Sequence, residues 1–319
     1  MNFADNIETF LQILSAGLIL GCIYGLMCAG LGLIFGIMRV INFAQGDFMM
    51  LAMYVGLFVV GWLAPGGGKA AFAWAMAAAV IAAALFYGLG AATHRLLVGR
   101  VSGTRISGST DGGHTAQLIL TLGISLVLQN GGLMLFGSTP TSIANAMSGK
   151  SWQLGPLWGN DIDVFVNQAR GWSALLALAA LGGTMLLLMH TGVGRRLRAA
   201  ADNPMAALYV GIDVDAAHRT AFGIGLALTA IAGVSLATFY PFQPYTGFDF
   251  VIIMYAGVVL GGMGSIGGAF LGGLIIGLVQ QLSTLVLPSQ LQNTAIFVIF
   301  LLILLVRPQG LFGRGVERA

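Results

Sequence analysis

The sequence predicts an all-α fold, a polytopic transmembrane helical bundle of about eight to ten spans with one or more broken helices. Hydrophobic residues make up 57% of the 319-residue chain and charged residues 8%, with a mean hydropathy of +0.90. A soluble surface needs far more charge than that. The apolar residues fall in runs long enough to cross a bilayer core. Forty-eight glycines supply small surfaces through which membrane helices approach closely, since lipid offers no hydrophobic drive to hold them together.

Residues 10–35 form the first run, with Gly21 and Gly25, then Gly32 and Gly36, at the spacing of close helix contacts, and Arg39 stops it. The next stretch, Asn42-Phe43-Ala44-Gln45-Gly46-Asp47-Phe48, is polar for its surroundings and leads into a second run ending near Leu63. It is either a tight surface turn or a set of polar side chains entering the bundle, where such groups face protein or a water-filled path. Residues 70–93 are a third, alanine-rich span. Residues 94–115 hold Arg95, Arg100 and Arg105 among Gly, Ser and Thr and read as a flexible polar loop. Residues 116–136 are the fourth span, with Thr121, Ser125, Gln129 and Asn130 as its polar positions; Gln129 and Asn130 suit interhelical hydrogen bonding. In the polar segment 137–171 and just after it, Trp152, Trp158 and Trp172 suit a membrane interface. Residues 173–190 and 221–239 are the fifth and sixth spans.

Between those two spans lies the stretch around which the chain is organised. Residues 191–219 carry Arg195, Arg196, Arg198 and Arg219, out of only 14 lysines and arginines in all. Such a segment is too charged to cross a bilayer. Asn203 before Pro204 reads as an N-cap with proline at the first helical position, residues 205–210 as a short helix, and Gly211 as its C′ stop. Asp213 can then cap the next span. The stretch is either a solvated connection held at the lipid surface by its arginines or a docking element for another protein.

Residues 240–250, with Pro241, Pro244, Tyr245 and Asp249, form a turn-rich connection. Residues 251–260 are too short to cross alone and end in Gly261-Gly262-Met263-Gly264-Ser265-Ile266-Gly267-Gly268. So much glycine predicts a broken helix, which at membrane depth must be buried in protein or line a cavity. It is a gate or substrate path, or else a close-packed glycine seam continued by Gly272, Gly273 and Gly277. Residues 269–287 and 291–306 complete the spans, and Arg307-Pro308 ends the last.

If residues 191–219 are cytoplasmic, eleven arginines share that side and only Lys69, Lys150 and Arg170 lie opposite. The positive-inside rule predicts that asymmetry, with the N-terminus outside and about nine crossings. A short internal echo is also present. Gly46-Asp47-Phe48 precedes Tyr54-Val55-Gly56, and Phe248-Asp249-Phe250 precedes Tyr255-Ala256-Gly257; with the two entering from opposite sides but their spacings differing by one, this is either the trace of an inverted repeat or a chance match.

Several chemistries are missing. The sequence has no His-Glu-x-x-His and no Gly-x-Ser-x-Gly, and its four histidines are scattered. Gly149-Lys150-Ser151 ends like a phosphate-binding loop, but Ala144 stands where that motif needs glycine. No enzyme is expected, and no ATP hydrolysis by this chain. Few charged side chains fall within the spans, so a proton relay or ion-coupled pump lacks its usual residues. Cys22 and Cys28 sit in one apolar run as reduced thiols. A net charge of +3 gives no reason to expect nucleic acid as a partner. Asp5 and Glu8, without a positive n-region, argue against a cleavable signal peptide. Transport powered by another chain is the reading left.

The residues also resemble a known family. The stretch from Gly32-Leu33-Ile34-Phe35-Gly36 through Asn42-Phe43-Ala44-Gln45-Gly46-Asp47-Phe48, with Met50-Leu51 and Tyr54, is similar to the N-terminal signature of LivH-type permeases of branched-chain amino acid ABC importers. Gly194-Arg195-Arg196-Leu197-Arg198-Ala199, Ala206-Ala207 and Gly211-Ile212 resemble that family's cytoplasmic loop. The run from Gly261 to Gly268 and Arg307-Pro308-Gln309-Gly310-Leu311-Phe312-Gly313 resemble its C-terminal motifs. One departure is Gln45, where the family commonly has histidine, so no imidazole role carries over.

The resemblance implies one permease domain over residues 1–319 in a bacterial inner membrane, with a coupling loop at 191–219. Its partners would be a second related permease, two cytoplasmic ATPase subunits that bind the ATP, and a periplasmic substrate-binding protein; the chain itself needs no cofactor. Arg195, Arg196, Arg198, Pro204, Ala206, Ala207 and Gly211 are the expected ATPase contacts. The expected cargo is leucine, isoleucine or valine. Alternatives are urea, an amide or another amino acid, and, as a different class, a secondary transporter. Asn42, Gln45, Asp47, Thr121 and Gln129 are the polar groups expected to meet the cargo. The stretch 42–47 is expected to face the break, with Gly261, Gly264 and Gly267, across the path.

Overall fold

A computed structural model of the protein describes residues 3–65, 68–101, 110–157, 162–288, 291–307 and 309–312. Arg105, Trp158, Pro308 and Gly313 lie outside the described residues. The first apolar run is one unbroken helix, α1 (Phe3–Met38), and α2 (Gln45–Leu63) and α3 (Gly68–Thr93) follow it. The helix then continues through a π-helical turn (His94–Val98) into α4 (Gly99–Val101), and α5 (Thr110–Phe136) forms the next span. The flexible loop expected at 94–115 is thus helical up to residue 101 and again from residue 110. Tertiary packing overrides the local glycine signal here: His94 and Val98 are buried, with the His94 ring beside His218 and Phe222.

The polar segment 137–171 contains a small antiparallel hairpin, β1 (Ser151–Leu157) and β2 (Ile162–Asn167), the one pair of strands among the described residues. In it Trp152 pairs with Val166. The Gln12 side chain of α1 donates to the Phe165 carbonyl at 2.5 Å and accepts from its N–H at 2.8 Å, which fixes the hairpin to the bundle. Next come α6 (Gln168–His190), α7 (Gly192–Asp202), α8 (Pro204–Tyr209) and α9 (Val214–Ala237). The chain ends with α10 (Thr246–Gly261), α11 (Ile266–Ser283) and α12 (Gln292–Val306). Seven described helices are long and apolar enough to cross a membrane, and two shorter apolar ones, α10 and α12, join them.

The helices are arranged as two interlocked halves of opposite direction. Exchanging α1, α2, α3 and α5 with α9, α10, α11 and α12 turns the α1–α11 pair into the α9–α3 pair and the α2–α5 pair into the α10–α12 pair. The same exchange leaves the α1–α9 and α2–α10 pairs in place. Two glycine contacts lie where the halves cross. A Cβ on Gly30 or on Gly225 would come 2.6 Å from the other's carbonyl oxygen. At the second crossing, one on Gly247 would lie 2.8 Å from the Gly46 carbonyl oxygen, and one on Gly46 would run into the backbone of Gly247. This is the inverted repeat whose trace in the sequence is the pair Gly46-Asp47-Phe48 and Phe248-Asp249-Phe250.

Both halves share a re-entrant feature. Gly30 and Thr229, which touch, lie about two turns, or ~12 Å, before the ends of α1 and α9. Gln45, the first residue of α2, bonds to that same Thr229. The chain after α1 therefore turns back into the bundle before α2 begins, and the chain after α9 does the same before α10. Gly17, Gly21 and Gly25 of α1 meet Leu278, Leu274 and Phe270 of α11, with Gly273 and Gly277 closing the seam.

Candidate functional site

The polar groups of the 42–48 stretch enter the bundle. Asn42, Gln45 and Asp47 are buried, and each is held by a neighbour. Asn42 Nδ2 donates to Gln45 Oε1 at 2.9 Å. Gln45 Nε2 donates to Thr229 Oγ1 at 2.6 Å and to the Gly225 carbonyl at 3.3 Å, which ties the start of α2 to α9. The Asp47 carboxylate accepts from Ser125 Oγ at 2.5 Å and from Gln129 Nε2 at 3.0 Å, which ties α2 to α5. Thr121 Oγ1 donates to the Leu118 and Ile41 carbonyls. Asn42 Oδ1 is buried without a hydrogen-bond partner. The cluster so described is a latch between helices, and its donors and acceptors are mostly turned toward each other.

Asn42, Gln45, Asp47, Thr121 and Gln129 are thus brought together. The 42–47 stretch lies against Gly247 and Val251 of α10, with Phe43 tilted against Tyr255 at 5.4 Å. The break is a separate turn. Gly262 and Gly264 have φ of 99° and 96°, a conformation that glycine adopts without a Cβ penalty. Gly36 of α1 packs on Gly264, Gly261 on Gly268, and the Leu311 and Phe312 amides donate to the carbonyls of Leu260 and Gly261. Each of the two stretches is thus packed against neighbours of its own. Glycine clustering signals close backbone approach equally well, and approach is what these residues serve. Gly267 has room, its nearest neighbour being Met185, and Gly264 faces open space but is held at a positive φ.

The arginine-rich stretch has more structure than a solvated connection. α7 is amphipathic, with Gly194, Leu197 and Ala200 buried and Arg195, Arg196 and Arg198 turned outward. Arg198 also donates to the Leu188 carbonyl at the end of α6. As the sequence predicts, Asn203 accepts from the Ala206 amide and Pro204 opens α8, Gly211 takes a φ of 82°, and Asp213 accepts from the Ala216 amide to start α9. Arg219 belongs to α9. The expected contact surface changes in one respect. Ala207 is 3% exposed and faces its own protein, whereas Met205, Leu208, Tyr209 and Val210 are 60%, 49%, 84% and 75% exposed. Between α7, the turn that leads into α9, and α9 itself a cavity of about 610 Å³ opens, lined by Arg196, Leu197, Gly211, Asp213, Thr220 and Ile224 among others.

Sequence reasoning missed Asp249. Placed in a turn-rich connection because of Pro241 and Pro244, it lies in the first turn of α10. The echo of Gly46-Asp47 in Gly247-Phe248-Asp249 was the signal that could have found it.

An apolar bundle of crossed half-repeats with seven helices fit to span a membrane, and a helix presenting apolar side chains beyond it, define a multi-pass membrane transport protein. The chain belongs to the family of permease components of branched-chain amino acid transport systems, whose model matches residues 13–306. It is 31% identical over 306 residues to the high-affinity branched-chain amino acid transport system permease protein LivH of Escherichia coli K12, covering 96% of each chain. Similarity to the corresponding protein BraD of Pseudomonas aeruginosa is 30% over 317 residues, 97% of each. A shorter match, 34% over 119 residues, 36% of this chain and 32% of the other, is to the autoinducer 2 import system permease protein LsrC of Escherichia coli O9:H4. No solved structure matches the chain. The protein is a membrane transporter subunit.

Proposed function

We propose that this chain is a permease subunit of a binding-protein-dependent ABC importer that moves leucine, isoleucine and valine across a bacterial inner membrane. It would work beside a second related permease, two cytoplasmic ATPase subunits that hold the ATP, and a periplasmic binding protein. The observation that carries this reading is α8. Four large apolar side chains project from a six-residue helix and the residue after it, between two spans, in a loop too charged to enter lipid, and such a patch outside lipid is a protein-docking surface. Arg195 and Arg196 orient the partner. The cargo follows from the relatives LivH and BraD, which are branched-chain amino acid permeases.

Reconstitution of the whole complex tests the proposal. Leucine uptake is expected to require ATP and the binding protein, and to persist when the proton gradient is collapsed. Tyr209→Ala with Leu208→Ser should leave the chain in the membrane but lower binding-protein-stimulated ATPase activity and uptake by about tenfold or more, as for loss of interface anchors. Unchanged coupling in that variant would remove the docking role. The likeness to LsrC favours one second reading, an importer of another small neutral solute, and uptake of such a solute without leucine would establish it.

A further inference from the structure

Asp249 lies at the middle of the bundle and is not sealed. Phe250 meets Tyr24 edge-on at 6.0 Å, and Gly257 and Val258 of α10 meet Cys28 and Gly32 of α1, so α10 runs in step with α1. Asp249 therefore sits at the height of Tyr24, midway along the apolar stretch Ile7–Met38. It is nonetheless exposed, and among the described residues it is in no ion pair and accepts no hydrogen bond. A carboxylate at that depth does not face lipid; it faces water or a polar partner. In front of it is a cleft of about 170 Å³ between α10 and α12, lined by Asp249, Ile252 and Ile253 of α10 and by Asn293, Ile296 and Phe297 of α12. A cavity of roughly 150 Å³ accepts a molecule the size of benzene.

We propose that this cleft is a wall of the substrate path. Asp249 receives the ammonium group of a zwitterionic cargo and Asn293 its carboxylate, while the isoleucines and Phe297 cover an apolar side chain. The inference rests on the importer reading and adds to it the residues that meet the cargo. One carboxylate beside one amide suits a zwitterion passing through, since neither group alone holds it tightly.

The test uses the full complex in proteoliposomes, with Cys22 and Cys28 replaced by alanine and a single cysteine introduced as Asn293→Cys or, on the other helix, as Ile252→Cys. Both thiols are expected to react with small hydrophilic methanethiosulfonates. In the Asn293→Cys protein a cationic reagent should outpace an anionic one of equal size by about tenfold, and adding Asp249→Asn should abolish that preference. Asp249→Asn should also lower leucine uptake at least about tenfold, as for a lost charge-assisted hydrogen bond. Thiols inert to hydrophilic reagents at both positions, an unaltered charge preference in Asp249→Asn, or its full uptake would each overturn the proposal. If the wild-type complex imports no leucine, the importer's cargo falls, while reagent access and charge preference still read the cleft. If it imports leucine and both thiols are inert, only the cleft assignment falls.

Discussion

Asp47 stands in the first turn of α2, buried, with both carboxylate oxygens taken by Ser125 and Gln129 of α5. Asp249 stands in the first turn of α10, exposed, looking across a cleft at Asn293 of α12. The helices around the two residues correspond, so the difference lies in what the fourth helix of each half supplies. α5 brings a hydroxyl and an amide to its carboxylate and closes the space, whereas α12 brings one amide and leaves a gap. Inverted repeats keep a backbone frame in common and let each copy specialise its side chains. Here one copy's acid became a fastener and the other's stayed available.

The strongest way to break this comparison is at the crossing the halves share. Gly46→Ala would push a methyl into the Gly247 backbone, where no flexible side chain can give way. A loss of more than about 3 kcal/mol is expected, read as loss of folded protein in membranes and of a thermal transition in detergent. Gly267→Ala, where there is room, is the control and should be neutral. A stable Gly46→Ala protein would show that the crossing is not fixed.

A finer cut separates the two acids. Asp47→Ala takes the acceptor from the buried Ser125 hydroxyl and leaves Gln129 Nε2 only its 3.4 Å bond to Ser125 Oγ, at a cost of about 2–4 kcal/mol in thermal or denaturant unfolding. Asp249→Ala should shift stability by less than about 0.5 kcal/mol, so its defect would appear in uptake alone. Equal destabilisation by both would make the acids equivalent and erase the contrast.

The smallest effect is at the break. Ser265 accepts from the Gly268 amide at 3.1 Å to start α11, so Ser265→Ala should cost about 1 kcal/mol, the usual value of an N-cap, measured by the same unfolding transition. No change would mean that the start of α11 is held by its glycine packing instead.

Legibility in the sequence followed the range of the interactions. Apolar runs gave the spans, and the Asn203, Pro204, Gly211 and Asp213 pattern gave α8 and the start of α9, because a cap acts within a turn. α7 was not legible, since its buried Gly194, Leu197 and Ala200 are recognisable only once α6 and α9 are beside them. The identities of Asn42, Gln45 and Asp47 could be picked out as unusual, but the α9 and α5 groups that hold Gln45 and Asp47 come from 78 to 184 residues away, beyond any local pattern. Re-entry before α2 and α10 looks in sequence like an ordinary polar turn, so Asp249 was assigned to a connection instead of the centre.

The corner between α6 and α7 has a mechanical meaning. Gly194 lies flush against the backbone of Leu188 with no room for a side chain, and Arg198 grips the Leu188 carbonyl. The two helices are therefore welded, and α6 is a rod of about 35 Å. Its far end begins at the hairpin, where the Gln168 amide bonds to the Lys150 carbonyl and Trp152 packs on Gly171 and Trp172. A push on α8 meets no slack along this line. Displacement at one end of the rod arrives at the other as tilt, so the hairpin is the indicator needle of whatever moves α8.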